Sequence, residues 1–208
     1  MLDRKIAEAL LSIGAVSLSP NKPFTWTSGI KSPIYCDNRL IMSHPDLREI
    51  IAEGFTNIVR THYPDVEVIA GTATAGIPHA AWVAQKLQLP MIYIRDKAKG
   101  HGKLNLIEGA LKPTQKVAVI EDLISTGGSS LKAALSVNDS GGIACAVLAI
   151  FTYQFEQANL AFRKEDIPLH TLTNYSVLID VALQTGRIDA DDVVSLKAWR
   201  QQPETYFN

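Results

Sequence analysis

The stretch from Lys116 to Leu131, Lys-Val-Ala-Val-Ile-Glu-Asp-Leu-Ile-Ser-Thr-Gly-Gly-Ser-Ser-Leu, constrains this chain more than any other. Residues 117–120 form a short apolar run, β-branched at three of four positions, of the kind that fills a strand buried on both faces. Glu121 and Asp122 follow where such a strand is expected to end. Ser125-Thr126-Gly127-Gly128-Ser129 then opens a helix in which Leu131, Ala134 and Leu135 recur at helical spacing. Glycines allow a tight turn, and the first amides of a helix are unpaired donors. With the hydroxyls of Ser125, Thr126 and Ser129 they form a cradle for a phosphate.

A loop for nucleoside triphosphates would place a Lys directly after the glycines. Here that position is Ser129, and the nearest Lys is Lys132. Two acids stand ahead of the cradle instead. Carboxylates repel a polyphosphate but accept hydrogen bonds from sugar hydroxyls and hold Mg²⁺, often through water. The ligand these residue types suit is a sugar monophosphate with free hydroxyls, such as a ribose 5-phosphate.

Residues 119–129, Val-Ile-Glu-Asp-Leu-Ile-Ser-Thr-Gly-Gly-Ser, resemble the phosphoribosyl pyrophosphate (PRPP) binding motif of the type I phosphoribosyltransferases. The resemblance implies an α/β fold, with a central, mostly parallel sheet, helices on both faces and a small N-terminal hood. It further implies that Glu121 and Asp122 hold the ribose hydroxyls and, through water, Mg²⁺. Leu123 and Ile124 lead into the phosphate-binding residues Ser125, Thr126, Gly127, Gly128 and Ser129, with Ser125 also touching the acceptor base. Catalysis falls to Lys99 and Asp122.

Other loops extend the resemblance. Gly71-Thr72-Ala73-Thr74-Ala75-Gly76 combines small residues and glycines after an apolar strand, which permits close approach of backbone amides to a ligand. In the family this is the pyrophosphate loop, carried here by Thr72, Ala73, Thr74, Ala75 and Gly76. Many relatives have Lys where this chain has Ala75, so no direct cation contact is expected from it. The run from Arg95 to Lys103 holds four cations and a His with two glycines. Charge alone reads as a solvated loop, yet the spacing is similar to the mobile catalytic loop of orotate phosphoribosyltransferases. Arg95, Lys99 and His101 are the matching positions. Asp96 replaces the Lys of many relatives, with Lys97 one position further on. In the family this loop closes over the neighbouring subunit's site, which implies a homodimer.

The segment from Phe24 to Arg39, notably Ser28-Gly29, Ser32-Pro33 and Tyr35, resembles the hood of the same enzymes. Aromatic rings can stack on a pyrimidine, and a cation can meet the orotate carboxylate. Thr27 stands where many relatives have Lys, leaving Lys31 and Arg39 as candidates. The expected orotate contacts are Ser125, Tyr35 and Lys31. A relative acting on a purine or on uracil would carry a different hood. A PRPP-sensing regulator would need a nucleic-acid surface, and the 23 residues before Phe24 are too few for a winged helix.

The chain in order supports one domain over 1–208, with an N-terminal helix and hood over 1–40 and an α/β core with C-terminal helices over 41–208. Apolar spacing predicts a helix over 2–13 and another beginning with a Ser43 cap and Asp46. From 66 onward strands (66–70, 91–94, 117–120, 143–151, 171–172) alternate with helices (79–87, 129–137, 155–164), and two further helices (175–183, 189–200) follow. Such alternation implies right-handed crossovers and a parallel sheet. Twenty basic and twenty-one acidic residues nearly cancel, so no global field points to nucleic acid or a membrane. No leader is apparent, no stretch approaches the ~20 apolar residues of a membrane span, and Cys36 and Cys145 are too few for a disulfide scaffold. Cys145 is expected in the core. A cytoplasmic enzyme taking PRPP and orotate, with Mg²⁺, is the expectation.

Overall fold

The structure, a computed structural model, describes residues 1–26, 29–97 and 106–207. A helix, α1 (Leu2–Ser12), leads into four short strands, β1 (Val16–Leu18), β2 (Phe24–Thr25), β3 (Lys31–Ser32) and β4 (Ile34–Cys36). These pair as two antiparallel ribbons, β1 with β4 and β2 with β3. A 3-10 helix, Asn38–Ser43, then joins them to α2 (Pro45–His62). Ser43 therefore closes the 3-10 helix and does not cap α2. The N-cap of α2 is His44, and Pro45 opens the helix, as its fixed φ allows.

The remaining elements are β5 (Val68–Thr72), α3 (Gly76–Leu87), β6 (Met91–Ile94), β7 (Ile107–Glu108), β8 (Lys116–Ile124), α4 (Gly128–Asp139), β9 (Ile143–Thr152), α5 (Glu156–Lys164), β10 (Leu169–Asn174), α6 (Tyr175–Gln184) and α7 (Ala190–Gln201). Their sheet has the order β10-β9-β8-β5-β6-β7, parallel except for β7 at the edge. One face is covered by α1, α2, α3, α6 and α7, which bury Ile6, Phe55, Val83, Ile179 and Trp199 against Ile69, Ile120 and Leu148. The other is covered by α4 and α5, which bury Leu131, Val137 and Phe162 against Val119 and Val147. Both faces being apolar explains why β8 and β9 read as continuous hydrophobic runs.

The chain moves outward from β5 to β6, then returns to place β8 on the other side of β5. The order thus reverses between β5 and β8, and ligands of open α/β sheets bind beyond the carboxyl ends of the strands at such a point. Cys145 is half-buried, near the start of β9, rather than fully in the core. Among the described residues no helix is long and apolar enough to cross a membrane.

Candidate active site

Strand β8 does not end at Ile120. It continues to Ile124, pairing Leu123 with Phe151 and Ile124 with Thr152 of β9. Glu121 and Asp122 are therefore inside the strand, held by the ladder rather than carried on a loop. Glu121 is buried, 8% exposed, and its Oε1 accepts from the Asp122 amide at 3.0 Å. Burial pushes its carboxyl well above the ordinary glutamate range, and the negative charge of Asp122 adds to the rise. Asp122 is raised as well, first by burial, against the pull of Glu121, the backbone amides and Arg39. Burial disfavours the charged form of both, and hydroxyl donors or a cation beside them would favour it.

The cradle follows at once. Gly127 takes the left-handed conformation, φ +79°, and forms the N-cap of α4. A Cβ there would meet the Phe162 ring at 3.0 Å and Ala158 at 3.2 Å, so both space and backbone call for glycine. The Gly127 carbonyl accepts from the Leu131 amide at 2.9 Å and from Ser130 Oγ at 3.1 Å. This pins the turn and leaves the first-turn amides of α4 facing outward. Thr126, Gly128 and Ser129 are exposed, and Ser125 is half-buried.

The loop after β5 abuts the same strand. Thr72 Oγ1 donates to the Ile120 carbonyl at 3.2 Å. A Cβ on Gly76 would strike that same carbonyl and Thr72 Oγ1, so α3 can start this close to β8 only with glycine. Ala73 and Ala75 are half-buried and Thr74 is exposed.

A cavity of about 220 Å³ gathers Thr72, Ala73, Arg95, Glu121, Ser129 and Lys132. Arg95 is paired there with Glu108 at 3.4 Å. Lys132, named from the sequence only as the Lys nearest the glycines, stands one helical turn beyond Ser129 and lines this cavity. Asn38 carries no sequence signal for a role here, yet its buried Nδ2 donates to the Asp122 carbonyl at 2.7 Å and ties the hood to β8. Nothing local marks that pair, which is 84 residues apart.

Of the expected acceptor contacts, Tyr35 is 45% exposed with its ring 5.8 Å from Phe24. Lys31 is exposed on β3. Arg39 grips Asp37 with two hydrogen bonds, 2.6 and 2.9 Å, and that guanidinium holds the Asp37 carboxyl below its usual range. Lys99 and His101, like Thr27 and Ser28, lie outside the described residues.

The site's contents are thus a phosphate cradle, an acidic pair and a glycine-bounded loop at one switch point. Comparison with known proteins agrees with that set. An orotate phosphoribosyltransferase of Enterococcus faecalis is 57% identical over 203 residues, covering 98% of this chain and 97% of the relative. That of Halalkalibacterium halodurans is 53% identical over 200 residues, 96% of this chain and 95% of the relative. Among solved structures, orotate phosphoribosyltransferase from Aeropyrum pernix matches 88% of this chain and 99% of its own with a TM-score of 0.75 at 24% identity. Leishmania donovani UMP synthase matches with a TM-score of 0.81, also at 24% identity, over 97% of this chain, which spans 43% of that longer one. No protein-family model matches the chain. On the strength of more than 50% identity over nearly its whole length to several such enzymes, the chain belongs to the orotate phosphoribosyltransferases.

Proposed function

We propose that the protein moves the ribose 5-phosphate group of PRPP to orotate at the carboxyl ends of β5 and β8, giving orotidine 5′-phosphate and pyrophosphate. The observation that carries this reading is the adjacency of the two loops: the turn after β5 and the cradle after β8 border one cavity with Glu121 between them. The 5′-phosphate takes the amides and hydroxyls of Ser125–Ser129. Leu123 and Ile124 hold the acids and the cradle in one continuous backbone. Glu121 and Asp122 take the ribose hydroxyls, and Thr72, Ala73, Thr74, Ala75 and Gly76 face the pyrophosphate.

Breaking the bond from C1 to the pyrophosphate oxygen leaves an oxocarbenium-like carbon, and the electron pair departs with pyrophosphate. Arg95, with Lys99 and His101 from the loop beyond it, meets that growing charge. Excluding water is equally necessary, because water would compete with the orotate nitrogen for C1. The acceptor nitrogen delivers its lone pair as the anion, so no side chain is assigned as base. Orotate lies under the hood against Tyr35 and Ser125, its carboxylate turned to Lys31. Arg39 is the weaker partner because Asp37 already occupies its fork.

The donor set suits Mg²⁺. Glu121 and Asp122 supply hard oxygens, and among the described residues no group of three or more His, Cys, Asp or Glu side chains is placed to cage a metal. A cation arriving with PRPP would be held there by Asp122 through water. Bound there, Mg²⁺ supplies charge neutralisation on the pyrophosphate. The same reading makes the protein a single-domain, cytoplasmic homodimer whose catalytic loop serves the partner's site.

The test is consumption of orotate with PRPP and Mg²⁺, run beside uracil, adenine and hypoxanthine. Turnover with orotate alone is expected. Turnover with another base would overturn the hood assignment.

A further inference from the structure

We propose that Trp199, near the end of α7, is a positioning residue for the acceptor base: it anchors the β2–β3 hairpin of the hood across from the phosphate cradle. This rests on the reading that the hood holds orotate.

The hairpin cannot hold its own place. Its ladder consists of the pairs Phe24↔Ser32 and Thr25↔Lys31, extended by Trp26 N–H donating to the Ile30 carbonyl at 2.9 Å. An isolated two-stranded hairpin is marginal in water even when longer than this. Its orientation must come from outside, and α7 supplies it. Trp199 is fully buried, and its Nε1–H donates to the Lys31 carbonyl at 3.0 Å. The partners are 168 residues apart in sequence. The same indole meets Trp26 edge-on, with centroids 5.8 Å apart at 86°. Trp26 in turn lies 5.1 Å from the ring of Tyr153, just past the end of β9.

The anchor is itself fixed to the core. Tyr175, which opens α6, donates its hydroxyl to the Leu196 carbonyl at 3.0 Å. Arg200 Nη1 donates to Gln154 Oε1 at 3.0 Å and to Ser176 Oγ at 2.7 Å. The last helix is thus bolted to the end of β9 and the start of α6 on one side and grips the hairpin backbone on the other. A cavity of about 340 Å³ is bounded by Ile30 at the hairpin tip, Thr126 of the cradle, and Arg200 of α7. The hairpin tip therefore faces the cradle across a gap that α7 closes laterally. An indole suits the task because its apolar body fills the core while its one N–H reaches a backbone acceptor.

Trp199→Phe keeps an aromatic side chain of smaller volume and removes the donor, leaving the Lys31 carbonyl without it. The KM for orotate is expected to rise about fivefold, the equivalent of one lost hydrogen bond. The KM for PRPP and kcat are expected to stay within about twofold, since the cradle and the loop are untouched. Equal rises in both KM values would overturn the proposal, as would a fall in kcat alone. Tyr35→Ala run in parallel separates the two levels of the argument. If it leaves the orotate KM unchanged, the hood reading fails and takes the anchor with it. If it raises the orotate KM and Trp199→Phe does not, only the anchor fails. Native-state hydrogen exchange on the unaltered protein is an independent check. The Trp26 amide is expected to become exchangeable together with the amides of α7 as denaturant is added. Exchange of the hairpin well ahead of α7 would show that Trp199 does not hold it, and would sink the proposal.

Discussion

Burial raises the carboxyls of Glu121 and Asp122, and the negative charge of Asp122 adds to the rise of Glu121. Asp122→Asn keeps the shape and removes the charge. It is expected to raise the KM for PRPP by about tenfold, roughly 1.4 kcal/mol, while leaving the melting temperature unchanged or slightly higher because a repulsion is gone. Kinetics unchanged across a PRPP titration would take Asp122 out of the site. Lys99 has a different signature, because the charge it is assigned to meet grows only as the bond breaks. Lys99→Ala is expected to lower kcat by on the order of 10²-fold with a smaller change in the KM for PRPP, read by steady-state kinetics. Away from the chemistry, His79 on α3 is buried, its Nδ1 has no hydrogen-bond partner among the described residues, and desolvation lowers its pKa to about 4. In the unfolded chain it titrates near 6.5, so between about 6.5 and 4 the unfolded state binds the extra proton and stability falls as pH drops. The loss attributable to this side chain approaches about 3 kcal/mol below pH 4. Denaturant melts of His79→Gln at pH 7 and pH 4.5 should show a shallower pH dependence than the unaltered protein, and equal slopes would refute the assignment.

At the scale of elements, the joint between β5 and α3 is tighter than its sequence suggests. Gly76 leaves no room for a Cβ against the Ile120 carbonyl, so Gly76→Ala must push α3 away from β8 or shift Thr72. A loss of about 1–3 kcal/mol is expected, as for other overpacked sites, with a raised KM for PRPP because the loop assigned to the pyrophosphate moves with it. Calorimetry and kinetics on the one variant check both halves. The sequence made the long apolar strands and the cradle legible because periodicity and glycine placement are local signals. It made β6 legible to the residue, as 91–94. The end of β8 was hidden because Glu121 and Asp122 interrupt the apolar run, although the backbone ladder with β9 continues through them. The strands β1, β3 and β7 are two or three residues long, too short for any alternation to register. The start of α2 was misplaced because Ser43 and Asp46 imitate a capping box, while Pro45 and a preceding 3-10 helix decide the boundary. Contacts such as Asn38 to Asp122, or Trp199 to Lys31, join elements far apart in the chain, and no local pattern encodes them.

For the whole molecule, the proposal to test is that the segment after β6 serves a partner subunit's site. Its base is pinned to its own subunit, since the Arg95 amide donates to the Leu106 carbonyl at 2.9 Å and Arg95 borders the cavity beside Ser129. The strand carrying it, β6, lies between β5 and the edge strand β7, two strands from β8. A segment rooted there can fold inward or project across a two-fold axis, and only the second makes a dimer a condition of activity. Mixing subunits separates these cases. Lys99→Ala and Asp122→Ala are each expected to be nearly inactive alone. Unfolding and refolding them together at equal concentration gives mixed dimers as about half of the population. If the loop serves the partner, one site of each mixed dimer collects both defects and the other has none. About a quarter of the unaltered activity should then return, one intact site in two across half of the dimers. If each subunit completes its own site, every site in the mixed dimer carries one defect, and the mixture shows only the average of its parents.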